Sequence, residues 1–326
     1  MFSLGRVART KPHLLADTAE IAIAFGGYEG ISASDLSSII KQSTRPDDEL
    51  LDIDEPDVDD DDLPDHLDGA ETTSREQAYV EECVRQIEFR VSAFGLCYPF
   101  VLDRGRLALR KELTYLNHVY LLLLACSRIR SFTSKGIKQR LADAFELICA
   151  ECLRRLVPET GEVYMFGPNS NDRREVFHTN LSAAMPLLVE KLGIELTRDW
   201  EKNFGSSGDG KIDLVSVVRV DKLAPGVVVM VGQCAAMEEE KNWERKRQEA
   251  IFATRRGSFI CLVDPQGILF IPVCYRQANG EWINKDYVSS VVTMDRLRII
   301  SVLSAHGKET INIQEIYKKV GLPMAA

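Results

Sequence analysis

Nowhere in the 326 residues do about 18 apolar residues run together; the longest candidate, VYLLLLAC at 119–126, has the length of a buried helix segment and cannot span a bilayer. The N-terminus, MFSLGRVARTKPHLL, has basic residues but neither a sustained apolar core nor a small-residue cleavage site. No secretory leader is expected, and the chain reads as cytoplasmic. A phosphate loop of the GxxxxGK[ST] type is missing, which argues against ATP hydrolysis. Histidine is scarce, with five in all, and His118, His178 and His306 have no acid or nucleophile at a recognisable spacing, so ordinary surface or core roles suit them better than base catalysis. Cysteine is present eight times, always within apolar runs rather than at regular spacings in polar loops, and reads as a small core residue. Cys149 and Cys152 form a CxxC, but on a predicted helix and without a second pair, a poor basis for zinc.

What is present is a chain 45% apolar, enough for one large domain with an appendage or for two modest ones. The net charge of -9 is unevenly distributed. Residues 47–68, DDELLDIDEPDVDDDDLPDHLD, hold 13 acids and no lysine or arginine, and without them 36 acids face 40 bases. The body of the chain is therefore mildly basic. Such a block buries too little apolar surface to offset its ordering entropy and is expected to be a disordered linker; a sharper alternative makes it a mimic of nucleic-acid phosphates in a basic groove.

Ahead of the linker, Asp17 or Thr18 can cap a first helix that GGYEG breaks, and Ser32 or Ser34 can cap a second. Behind it, apolar positions 80, 84, 87, 91 and 94 predict an amphipathic helix over 74–98, with further helices over about 107–129 and 135–157. From about 160 the texture changes. EVYMF reads as a short strand, NLSAAMPLLVEKLG as a helix ending at Gly193, and IEL as a strand start; then come KIDLVSVVRV, a turn at DKLAPG, VVVMVG, a charged helix over about 237–255, FICLV, and ILFIPVCY after DPQG. The fold class is α/β (α+β): a helical N-terminal region followed by a mixed sheet flanked by helices.

Within that sheet the stretch SSGDGKIDLVSVVRVDKLAPGVVVMVGQC places one acid, Asp213, at the mouth of an apolar strand and ends the next apolar run at Gln233. Alternation puts Asp213 on a face with Val215 and Val217, and Gln233 with Val231 and Ala235. Paired as a hairpin, the two strands bring Asp213 and Gln233 to the same end. A carboxylate and an amide oxygen side by side suit magnesium or manganese, which can activate water and stabilise a phosphodiester under attack. Asp209, in the glycine loop, reads as a turn former. An EF-hand reading of GDGKID fails because the spaced oxygens and terminal glutamate are missing.

GDGKID, a strand, and VGQC at the end of a second strand resemble the PD-(D/E)xK nuclease superfamily, in particular its restriction-type branch with glutamine as the second metal ligand. The resemblance covers roughly 136–290. It implies a restriction-endonuclease-like core in which Asp213 and Gln233 hold magnesium or manganese. The family's lysine would fall at position 235, which is Ala235 here. Three explanations stay open: the amine has moved to the following helix, where KNWERKR offers Lys241, Arg245, Lys246 and Arg247, with Lys246 preferred; or the alanine is an inactivating replacement; or the site is dead. The family also places a glutamate on the helix before the sheet, for which Glu146 is preferred over Glu190 and Glu151, although a solvated helix face is the ordinary role for any one of them. The arginine pairs at 154–155, 173–174 and 255–256 can contact phosphates, with solvated surface as the default.

The acidic block and the resemblance together divide the chain into a small helical segment at 1–42, an acidic linker at 43–73, a helical region at 74–135 and a nuclease-like domain at 136–326. It implies a magnesium-dependent endodeoxyribonuclease acting on DNA in anti-phage defence, as a homodimer where both strands are cut, with a partner subunit of the defence system as a further associate. The rival class is an inactive nuclease-fold module that binds nucleic acid or scaffolds a partner protein.

Overall fold

The computed structural model describes residues 2, 4, 7–8, 11–45, 69–203, 210–221, 226–237, 240–252, 257–305, 307 and 309–324. A short strand β1 (Val7–Ala8) precedes α1 (Pro12–Phe25), β2 (Ile31–Ser32), α2 (Ala33–Ser43) and β3 (Thr44–Arg45), which pairs parallel with β1. α1 begins earlier than a cap at Asp17 or Thr18 would allow. Pro12 opens it, where a fixed φ and a missing N–H cost nothing; Asp17 lies inside the helix and is fully buried, and Thr18 returns its hydroxyl to Leu14 O at 2.8 Å. The helix stops at Gly26, as GGYEG predicts. Ser32 caps α2 reciprocally, its Oγ accepting from Asp35 N at 3.3 Å while Asp35 Oδ2 accepts from Ser32 N at 2.9 Å. The acidic run at 47–68 falls outside the described residues.

α3 (Gly69–Phe94) carries the expected stripe and buries Cys83, Ile87 and Phe94. A helix starting near 107 is not observed. Residues there form a hairpin, β4 (Phe100–Asp103) and β5 (Arg106–Leu109), and β2 pairs with the outer edge of β5. Its two-residue turn, Arg104 at φ 48° and Gly105 at φ 75°, has both central residues in the left-handed region, the geometry that matches strand twist. α4 (Tyr115–Ser127) starts only after Thr114, whose hydroxyl accepts from Asn117 N while Asn117 Oδ1 accepts from Thr114 N. α5 (Ile137–Leu156) matches the predicted helix closely.

Next come β6 (Glu162–Met165), α6 (Leu181–Leu192), β7 (Glu195–Leu196), β8 (Leu214–Val218), β9 (Val228–Cys234), α7 (Glu240–Ala250), β10 (Phe259–Ile260), β11 (Gln266–Phe270), β12 (Val292–Met294), α8 (Arg296–Ala305) and α9 (Ile313–Val320). A five-stranded mixed sheet has the order β12-β11-β9-β8-β6, parallel across β12, β11 and β9 and antiparallel across β9, β8 and β6. The chain is a mixed α/β protein: N-terminal helices, then a five-stranded sheet flanked by helices.

Both sheet faces are covered, which explains the near-continuous apolar runs of β8 and β9. Val215, Val217, Val229 and Val231 pack on α6 with Phe166, Phe177 and Phe259. Leu214, Met165, Cys234, Ile268 and Phe270 face the opposite side, in one cluster with α5, α4, α1, α8 and α9. The N-terminal helices thus share their core with the sheet.

Four fully buried charges lie in that shared core. Arg90 Nη1 donates to Asp17 Oδ1 at 2.7 Å and Glu20 Oε1 at 2.6 Å, Arg296 Nη2 reaches Asp17 Oδ2 at 2.8 Å, and the hydroxyls of Tyr98, Tyr120 and Ser127 donate to Glu20 Oε1, Glu20 Oε2 and Asp17 Oδ2. Two guanidiniums balance two carboxylates, so the charges are paired as burial demands. Six of the eight cysteines are buried, and desolvation raises the Cys152 thiol to about 12 and Cys149 further, which keeps the CxxC protonated.

Candidate active site

The antiparallel register of β8 and β9 pairs Leu214 with Gly232; one step further sets Asp213 opposite Gln233. Asp213 N donates to Gly232 O at 3.3 Å and Phe166 N donates to Asp213 O at 2.8 Å, so the backbone at 213 is held from both neighbouring strands. The aspartate is 3% exposed and the glutamine fully buried. A carboxylate at that depth requires donors. Cys234 N gives one to Oδ2 at 2.7 Å, and Lys246 Nζ gives another at 3.2 Å.

Lys246 lies on α7, which packs on β9 and β11, and the same amine donates to Gln233 Oε1 at 3.0 Å. Gln233 Nε2 donates to Lys211 O. The two contacts fix the amide's orientation, with its oxygen towards the amine. Glu249, one turn along α7, has its Oε2 3.7 Å from Lys246 Nζ. Of the four basic residues offered by KNWERKR, Lys246 is the one bonded to Asp213 and Gln233; Arg247 instead pairs with Glu244 and reaches Ser289, and Arg245 leans towards Glu249 with most of its side chain in solvent.

Ala235 is fully buried within the apolar cluster, and its N–H donates to Phe270 O at 2.9 Å. The expected facing of Ala235 with Gln233 does not hold. β9 ends at Cys234, and past it the chain turns so that the methyl of Ala235 joins the α5-side core.

Among the three glutamates, Glu146 is half-buried on α5, and its Oε2 comes within 2.9 Å of where a Cβ on Gly167 would sit, just past β6. Its charge, with those of Asp213 and Lys246, acts on the Cys234 thiol, which burial raises to about 11. Glu190 is exposed on α6, and Glu151 is engaged by Arg155 Nε at 3.0 Å and by Thr310. Among the described residues no group of three or more His, Cys, Asp or Glu side chains is placed to hold a metal. The donors present at the strand ends are one carboxylate and one amide oxygen, both hard; magnesium, which keeps several waters and takes one or two protein ligands plus phosphate, suits such a set.

Other candidates separate clearly. His178 Nδ1 accepts from Asn180 N at 3.1 Å, and His118 stacks edge-on against Tyr317 with burial lowering its basicity. Arg173 is buried over the Phe166 ring and bonds Phe166 O and His178 O, whereas Arg174 is exposed. Arg155 is tied to Glu151. Asp209, His306, Arg255 and Arg256 fall outside the described residues.

A seat for α7 is absent from the sequence reading. Lys11 Nζ meets Glu240 Oε2 at 2.6 Å at the start of α7, and the His13 ring packs edge-on against Tyr275, which also packs edge-on against Trp243 of α7. His13 is 1% exposed with neither ring nitrogen hydrogen-bonded. No local signal marks it; only its packing against Tyr275 does. Comparison with known proteins assigns no family: no family model, no curated protein and no solved structure matches the chain.

Proposed function

We propose that the chain is a magnesium-dependent nuclease of restriction type, acting on DNA in the cytoplasm. The observation that carries this is the position of Lys246, whose amine touches both Asp213 and Gln233 at the ends of adjacent strands. That pairing supports a lysine moved from strand to helix, because Ala235 faces the core. Asp213 and Gln233 would hold the metal, with Glu146 as the third candidate. A magnesium ion bound there would activate water and polarise the phosphodiester. Lys246 contributes a positive charge beside the attacked phosphate, where it neutralises charge developing in the transition state. Gln233 is oriented by Lys211 O, which keeps its oxygen on the side of Asp213 and Lys246. Cutting both strands of a duplex takes two such sites, hence a homodimer, and a role in anti-phage defence, with a partner subunit supplying targeting, follows from the resemblance alone.

The test is cleavage of plasmid and linear DNA with magnesium or manganese by the chain and by its Asp213→Ala, Lys246→Met and Ala235→Lys forms. Cleavage lost in the first two variants, with folding intact by circular dichroism, supports the reading. Cleavage seen only in Ala235→Lys overturns the role of Lys246. No cleavage by any form leaves the binding module as the better description.

A further inference from the structure

Past Gln233 the described residues are Cys234, Ala235, Ala236 and Met237, and α7 begins at Glu240. Ala236 and Met237, the turn after α4 and the first turn of α7 border an open cavity of about 190 Å³, lined by Ile129, Arg130, Ala236, Met237 and Asn242. Trp243 Nε1 donates to Met237 O at 2.9 Å and braces the wall. Asn242 and Lys246 are four residues apart on α7, so they share a helix face with about 6 Å of rise between them. Along α7 the cavity therefore lies one helical turn from the residue whose amine joins Asp213 and Gln233.

Size narrows the occupant. An apolar cavity of ~150 Å³ already takes up benzene, and sites for drug-sized ligands begin near ~300 Å³. The volume here suits one small ring system. Its walls combine an apolar floor of Ile129, Ala236 and Met237 with an amide at Asn242 and a guanidinium at Arg130. An amide offers both donor and acceptor to a heterocycle edge, a guanidinium plane stacks on its face, and a thioether packs against it.

We propose that this cavity receives one unpaired nucleobase of the strand whose phosphodiester lies at Lys246, an inference that rests on the nuclease reading. Asn242 hydrogen-bonds the base edge and Arg130 stacks on its face or meets the adjoining phosphate. A base stacked and paired in a duplex cannot enter, so the strand is single or the base is flipped out. The site thereby selects substrates by local opening of the duplex.

The test uses the full chain with manganese and an end-labelled single strand whose cut position has been mapped, then a series carrying one abasic residue at successive positions around the cut, and a duplex with or without a bulged base there. We expect an abasic residue beside the cut to lower kcat/KM about tenfold. Ala236→Phe, which fills the cavity, and Asn242→Leu, which removes the amide at similar volume, should each lower cleavage of the intact strand while leaving cleavage of that abasic strand unchanged. A bulged duplex should be cut faster than a perfect one. A flat abasic series, or variant and abasic losses that multiply, overturns the cavity assignment while the nuclease reading stands. If the chain cuts nothing, the nuclease reading falls, and the cavity is judged by binding: a strand carrying a fluorescent adenine analogue should bind the chain more tightly than Ala236→Phe or Asn242→Leu, and equal binding by all three overturns it.

Discussion

Acid should loosen this protein through His13 before it titrates the carboxylates. The imidazole is buried against Tyr275, and desolvation lowers it to about 4 against the opposing pull of the Glu240 and Asp17 carboxylates, with Arg90 and Lys11 reinforcing the drop. In the unfolded chain a histidine titrates near 6.5. A base with a lowered folded-state pKa favours the native state while neutral, so its stability is fully present above about pH 6.5 and is lost as pH falls towards 4. At pH 5 the unfolded histidine is almost wholly protonated and the folded one about a tenth so. The ratio is roughly thirtyfold, or about 2 kcal/mol, rising to about 3 kcal/mol at pH 4. The carboxylates act lower: burial alone would raise Asp17, but Arg296 and Arg90 outweigh it, and Lys11 does the same for Glu240, so both give stability that is lost as pH falls below the ordinary carboxylate range. Urea unfolding at pH 7 and pH 5 on the chain and on His13→Phe separates the two. His13→Phe should lose about 2 kcal/mol less between those pH values. Equal losses in the two proteins would refute the assignment to His13.

Two further perturbations probe the core and the site. Arg296→Met leaves Asp17 with Arg90 as its remaining guanidinium in a dry interior, and should cost about 3–5 kcal/mol in urea unfolding; a loss under about 1 kcal/mol would show that the network relaxes without it. Gly167→Ala brings a methyl within 2.9 Å of Glu146 Oε2, the mobile end of a side chain, so unfolding should shift by no more than about 1 kcal/mol while the carboxylate moves. If Glu146 contributes to the metal site, cleavage and manganese affinity drop together in that variant; unchanged manganese affinity would remove Glu146 from the ligand set.

The hairpin carrying Asp213 and Gln233 was legible because two apolar runs flank a turn, and antiparallel pairing then sets their ends together. Lys246 could be preferred among four candidates, but its contacts with Asp213 and Gln233 could not be read, since which residues of α7 face β9 depends on how the helix docks rather than on its own composition. The β4–β5 hairpin was readable in principle: FVLD and RLAL flank Arg-Gly, yet the apolar run beyond blends into α4 and reads as one long helix. The buried charges were not readable. Asp17, Glu20, Arg90 and Arg296 lie on three helices far apart in sequence, and each alone resembles a solvated helix charge or a cap. The same holds for His13, whose ring packs against Tyr275 from the far end of the chain.

Placing the amine on a helix has an electrostatic consequence for position 233. Lys246 already faces two carboxylates, Asp213 and Glu249, and a neutral glutamine at 233 adds no third. A glutamate at this fully buried position would set three carboxylates against one ammonium, at a cost of several kcal/mol. A lysine at 235 could not restore the balance cheaply, because that position faces the apolar cluster with α5. Glutamine at 233, alanine at 235 and lysine at 246 therefore suit one another in this buried cluster. The reach of that lysine depends on where α7 sits, and α7 is held at its start by Lys11 and flanked by the His13–Tyr275–Trp243 stack. The N-terminal helix consequently belongs to the site's geometry as much as the sheet does.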